Sequence, residues 1–450
     1  MKTLGAILLG AALLAWPAFL NRYPLVFSDT GGFLHQTLGP LMLWDKPWIY
    51  GPFLHTFHWR VTLWGPLVAQ ALIVSHLLWL TQRVLRGAAP PIAHVAVCAV
   101  AAALTIAPFT VALLMPDVFA PVVVLSLSLL SFARSRLSRA EAAYLGVLAS
   151  LAVASHLAHL PLALAMVALA LAADLLRRGH GLPWGAPRAA APVVAAVALL
   201  LATNWVGHGR AALSPHGATF MLARLQADGP ATEVIRARCP AAGWYLCAFV
   251  DRLPMDANDF LWAPDSPVNR DAAGQARFLG GALISAEAGE IVAATLRAHP
   301  IEVALAILRN TARQVTTTGI GDTLGDDHLA TALRPRIAEG FPARELAAYD
   351  AALQPRGELR AAVPAFGLLH LAVLLLSLPL LALAGLRAAR AGDALRLWLL
   401  AALLVGVVGN AAATGGLSGV HARYQARIAW LLPVGALLLL LPAAPRRDTP

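Results

Sequence analysis

Asp29 closes the first polar stretch of the chain, Asn21-Arg-Tyr-Pro-Leu-Val-Phe-Ser-Asp-Thr-Gly-Gly, directly after an apolar run at Leu4–Leu20. A carboxylate beside hydrocarbon is costly unless it faces a cavity, a partner or a substrate, which makes Asp29 a candidate general base. Asp117, in Met115-Pro-Asp-Val-Phe-Ala-Pro, sits in a short turn between two apolar runs. Capping of the following helix and a catalytic role both remain open for it. Arg423 and Arg427 are four residues apart, so a helix puts them on one face. Their guanidinium forks suit phosphate oxygens, and salt bridges to Asp29 or Asp117 are the structural alternative. Lys46 and Arg60 are further cations for a phosphate. His55, His58, His156, His159 and Tyr424 are candidates for holding an acceptor, or a divalent metal if one is used. No cofactor is otherwise implied.

The elements that must position these residues follow from composition. The chain has 450 residues, 59% hydrophobic and 13% charged, with mean hydropathy +0.68. Soluble domains carry about 25% charged residues, so this composition predicts an all-α polytopic membrane protein. The net charge of +10 does not point to nucleic acid, because the arginines recur in short clusters between apolar runs and form no single patch.

Those clusters set a topology, since cytoplasmic loops carry excess Lys and Arg and one span needs about 20 apolar residues. Lys2, Arg83 and Arg86, Arg134 to Arg139, Arg177 and Arg178, Arg387 and Arg390, and Arg446 and Arg447 mark the inside. Ten spans satisfy them: near 4–20 and 61–81, two between 90 and 132, a hairpin over 144–176 turning at Ser155–Pro161, then 189–205, 363–386, 395–416 and 426–443. Both termini are then cytoplasmic. A cleaved signal peptide is the alternative reading of the first run, against which stand Trp16, Pro17 and Phe19. Preference for Arg over Lys and abundant Ala suggest a GC-rich bacterium, hence its inner membrane.

This topology divides the chain into a membrane module at 1–205 with an outer first loop at 21–60, a small, mainly helical periplasmic domain at 206–362, and a three-helix membrane module at 363–450. Helical periodicity predicts helices at Thr219–Gln226, Glu287–Arg297 and Ile301–Val315 in the middle part. Cys239 and Cys247, in an oxidising compartment, are expected to form a disulfide, a metal site being the alternative; Cys98 is expected to pack. Asp322, Asp326, Asp327 and His328 lack EF-hand spacing and are expected in a solvated loop. The first loop carries Trp44, Trp48, Tyr50, Phe53, Phe57 and Trp59, as expected of short helices at headgroup level.

In order and placement these motifs resemble the outer-face site of the GT-C superfamily, integral-membrane glycosyltransferases that use polyprenyl-phosphate sugars. The resemblance rests on Asp29 in Tyr23-Pro-Leu-Val-Phe-Ser-Asp-Thr, on Asp45-Lys-Pro-Trp-Ile-Tyr-Gly-Pro-Phe-Leu as an echo of an Arg-Pro-Pro-x-Tyr-Pro-like stretch, on Met115-Pro-Asp117, and on His421-Ala-Arg-Tyr424 before the last helix. It covers roughly 1–180 and 395–440. The first loop lacks the closely spaced acidic pair of many such enzymes, and the soluble part precedes the last three helices. The resemblance implies transfer of a sugar from a polyprenyl-phosphate donor to a glycan, lipid or protein acceptor, with Asp29 as base and inversion at the anomeric carbon.

Three other readings stay open. A flippase or transporter would want charges near mid-bilayer. A polysaccharide polymerase or ligase would depend on outer-face Arg and His, and a membrane assembly protein on none of these groups.

Overall fold

A computed structural model describes residues 2–39, 42–176 and 185–442. Arg177, Arg178, Arg446 and Arg447 of the topology argument lie outside them. The fold is all-helical: among the described residues the β-type pairings are isolated bridges, including a parallel one between Leu25 and Leu113.

Among the described residues, five helices are long and apolar enough to cross a membrane: Trp64–Arg86, His159–Leu176, Gly185–His208, Arg360–Arg390 and Ala394–Gly416. Shorter apolar helices occupy Thr3–Leu14, Pro91–Leu104 and Pro116–Phe132. Several runs read as single spans are interrupted. The first breaks between Thr3–Leu14 and Trp16–Asn21, where Pro17 enters the second helix. The third breaks between Pro91–Leu104 and Ala107–Ala112, with Pro108 in its first turn. The last splits into Ala422–Ala429 and Leu431–Leu440. Proline lacks the N–H that continues a helical ladder, so it falls at helix starts and marks such breaks.

The expected turn within the 144–176 run is present, between Arg139–Ala154 and His159–Leu176. Arg139–Ala154 begins on a capping box, Ser138 Oγ accepting from Glu141 N at 3.1 Å and Glu141 Oε2 from Ser138 N at 2.8 Å. It ends at the Ser155–Ala158 turn, where His159–Leu176 takes over. Cys98 is buried beside His94.

The long middle segment packs in two parts. Gly217–Asp228, Ser285–Ala298 and Pro300–Thr316 supply the helices expected there, and Leu222, Ile235, Phe260, Ile291 and Val303 share a core of their own. Cys239 and Cys247 are disulfide-bonded. From Ile320 to Leu359 the chain instead joins the main core with the membrane helices. Asp326 and Asp327 pair with Arg360 at 2.6 and 2.9 Å, as suits a solvated loop.

That second part clamps the first loop. Gln354 Oε1 accepts from Val26 N at 3.0 Å while its Nε2 donates to Val26 O at 2.8 Å. Glu345 Oε1 accepts from Tyr23 Oη at 2.7 Å and from Leu63 N at 2.8 Å. Gly31 allows a close approach of the two backbones, since a Cβ there would lie 2.1 Å from Ala332 O.

Candidate functional site

Two backbone hydrogen bonds bring the first loop to the Asp117 turn: Leu25 N to Ala112 O at 3.0 Å and Leu114 N to Leu25 O at 2.8 Å. Thr30 adds a third link, its hydroxyl donating to Leu114 O at 2.9 Å and accepting from Phe27 N at 2.9 Å. This fixes the start of the Ser28–Leu38 helix, with Asp29 in its first turn. Asp117 follows in the Pro116–Val118 turn and is buried.

The Ala422–Ala429 helix closes the site from the other end of the chain. Arg423 Nη1 donates to Asp117 Oδ2 at 2.7 Å, and Arg427 Nη1 lies 3.7 Å from Asp117 Oδ1. The shared face expected from the spacing of the two arginines is therefore real, and it faces inward. Arg427 also donates from Nε and Nη2 to Asn410 Oδ1 at 3.1 and 2.9 Å. Asn410 holds the same helix through Tyr424 O, to which its Nδ2 donates at 2.8 Å. The Arg423 guanidinium stacks 4.2 Å from the Phe27 ring and 5.2 Å from that of Tyr424, a cation–π arrangement reaching back to the Asp29 segment.

Asp29 is the open member of the group. Its side chain is 39% exposed, and Lys46 Nζ lies 3.1 Å from its Oδ1 while also contacting Asp45. Burial alone would lower the Lys46 ammonium, but Asp29 and Asp45 outweigh it and hold the group above its ordinary value. Phe33 and Trp262 flank the ammonium, their centroids 6.0 and 5.8 Å away. Trp262 belongs to the middle segment and packs against Trp44 in a tilted ring pair, so the first loop and that segment meet at this point.

The other candidates fall into two groups. His156 is within electrostatic reach of Arg427, Arg423 and Lys46, and His159 of Arg427 and Asp117. They belong to the cluster, with their rings 5.2 Å apart and His159 Nδ1 bonded to Ala152 O at 2.7 Å. His55, His58 and Arg60 sit instead at the far end of the Ser28–Leu38 helix. Arg60 Nη2 donates to Thr37 O at 3.2 Å, eight residues beyond Asp29 and hence about 12 Å along the helix. His58 packs on Phe341, and the structure does not join this trio to Asp29 and Asp117.

A cavity of about 360 Å3 is lined by Arg224, Met255, Asp256, Asn258, Arg313 and His421. His421, two residues before Arg423, is held by backbone bonds to Gln314: its N–H donates to Gln314 Oε1 at 3.0 Å and its carbonyl accepts from Nε2 at 2.8 Å. Burial lowers its imidazole; Asp322 opposes and Arg423 reinforces that shift.

Among the described residues the His, Cys, Asp and Glu group compact enough for a metal is Glu233, His299 and Glu302, in the middle segment. There His299 Nδ1 meets Glu302 Oε2 at 2.9 Å and Nε2 meets Glu233 Oε2 at 3.9 Å. The two ring nitrogens face different carboxylates.

Sequence reasoning missed Asn410, Phe27, Glu345 and Gln354. Asn410 alone carried a signal, as an amide inside an otherwise apolar run. Comparison with protein-family models, with curated proteins and with solved structures finds no match for this chain.

Proposed function

We propose that this chain is a ten-pass glycosyltransferase of the bacterial inner membrane, with cytoplasmic termini and a periplasmic middle segment, moving a sugar from a polyprenyl-phosphate donor to an acceptor hydroxyl. The observation that carries this reading is the convergence of an exposed carboxylate, Asp29, with Lys46 at 3.1 Å and the Arg423–Asp117 pair behind it, from distant parts of the chain.

In this mechanism Asp29 takes the acceptor's proton as its oxygen attacks the anomeric carbon. The bond from that carbon to the phosphate oxygen breaks, and the lipid phosphate leaves with the electron pair. Lys46 and the edge of Arg423 offset the charge that develops there. Donor phosphate competing for Lys46 would release Asp29 from its ion pair and so expose the base only when the donor is bound. Asp117, too buried to touch a substrate, orients Arg423. His156 and His159 line the same group on the acceptor side.

The test is release of polyprenyl phosphate from a panel of polyprenyl-phosphate sugars by the reconstituted protein. The wild type is expected to release it, and Asp29→Asn to lose release while remaining folded. A second reading, a membrane assembly protein, is favoured by one observation: Arg423 and Arg427 spend donors on Asp117 and Asn410. It predicts that Asp29→Asn changes nothing.

A further inference from the structure

Pro300–Thr316 follows Ser285–Ala298 across a bend of 102° at His299. Its residues sort into three stripes at helical spacing. Val303, Ala306, Asn310 and Gln314 are buried against the rest of the protein. Glu302, Arg309 and Arg313 form a polar stripe, and Arg313 lines the cavity beside His421. The remaining face is apolar and exposed, with Ile301 at 73%, Leu305 at 60% and Leu308 at 65%, continued by Val315.

An apolar face turned outward needs an occupant, and the packing beneath the helix indicates which. The Ala394–Gly416 span exposes Leu404 and Val408 along one side. Further along the same helix, Gly415 and Gly416 are buried, and a Cβ on them would meet Gln314 and Asn310, or Thr311 and Ile307. Pro300–Thr316 therefore packs against the end of a helix long and apolar enough to cross a membrane, held close by the two glycines. The exposed apolar side chains of Pro300–Thr316 and the exposed Leu404 and Val408 thus sit on two helices joined at that contact.

We propose that Pro300–Thr316 is an in-plane membrane helix, with Ile301, Leu305, Leu308 and Val315 sunk into the outer leaflet and Arg309 and Arg313 at headgroup level. The occupant of this face is lipid. The inference rests on the membrane reading and not on sugar transfer. It places the mouth of the Arg224–Arg313–His421 cavity at the depth of lipid phosphates.

The experiment uses Leu305→Cys and Leu308→Cys in the full chain. Cys98 is buried and Cys239 is joined to Cys247, so the introduced thiol is the reactive one. Each variant is labelled with an environment-sensitive fluorophore and reconstituted into phosphatidylethanolamine–phosphatidylglycerol vesicles containing doxyl-labelled lipid. Leu404→Cys is the lipid reference and Ala237→Cys, on an exposed residue of the middle segment, the aqueous one. A probe seated about 5–10 Å into the headgroup boundary is expected to lose about half its emission or more to the doxyl lipid. Quenching no greater than at position 237 overturns the proposal: with strong iodide quenching the helix is in water, and with neither quencher effective another protein surface covers it.

Discussion

Arg423 donates to Asp117 across 2.7 Å, closing a contact between residues 306 apart in sequence with both side chains almost wholly buried. Removing one partner of such a pair strands the other charge, whereas replacing both with apolar groups removes the problem with its solution. Asp117→Leu is expected to destabilise the protein by about 3–5 kcal/mol. Asp117→Leu with Arg423→Met should recover part of that loss, and unfolding midpoints in detergent measure both. Equal destabilisation by the single and double variants would rule out the pair as the source.

Glu345 makes a different kind of link, since its Oε1 satisfies the Tyr23 hydroxyl and the Leu63 N–H in a buried site. Glu345→Ala leaves both donors unpaired, an expected loss of about 2–4 kcal/mol. Tyr23→Phe removes one donor and should reduce what Glu345→Ala then costs. A double-mutant cycle on unfolding free energies checks the coupling.

His58 makes stability pH-dependent. Burial, then His55 and Arg60, push its imidazole from 6.5 to about 4, and its Nδ1 accepts from Arg60 N at 2.8 Å, which requires a neutral ring nitrogen. A depressed folded value means that the contribution is complete above the unfolded value of 6.5. It is lost as pH falls from there towards 4, by at most about 3 kcal/mol. His58→Gln should flatten that slope in a stability profile from pH 7 to pH 4, and an unchanged slope would assign it to other groups.

The disulfide between Cys239 and Cys247 closes a loop with a sequence separation of 8. Chain-entropy arguments give such a loop about 2–3 kcal/mol. Purified without reductant, the denatured protein is expected to take up one alkylating group, at Cys98, and three after reduction. Reduction should also lower the unfolding midpoint. Three adducts without reductant would mean that the bridge does not form in the cell.

Much of the site could be read in the sequence because it depends on local spacing. Arg423 and Arg427 share a face by helical repeat, and the histidine turn at 155–158 is forced by the length of the apolar run around it. The burial of that arginine face was not legible, since it depends on Asn410 and Asp117 arriving from other helices. Glu345 and Gln354 read as ordinary polar residues of a solvated helix and loop; only tertiary packing turns them into clamps on Tyr23 and Val26. Broken spans were equally hard to foresee, because Pro17 and Pro108 lie inside runs whose hydropathy stays high.

The long sequence separation of Asp117 and Arg423 carries a consequence for biogenesis. At about 5–20 residues per second, a ribosome needs about 15–60 s to reach Arg423 after making Asp117. For most of that interval the carboxylate has emerged from the ribosome without its counter-charge. A nascent chain truncated before Ala422 would hold an orphaned acid that insertion and quality-control machinery must shelter or reject.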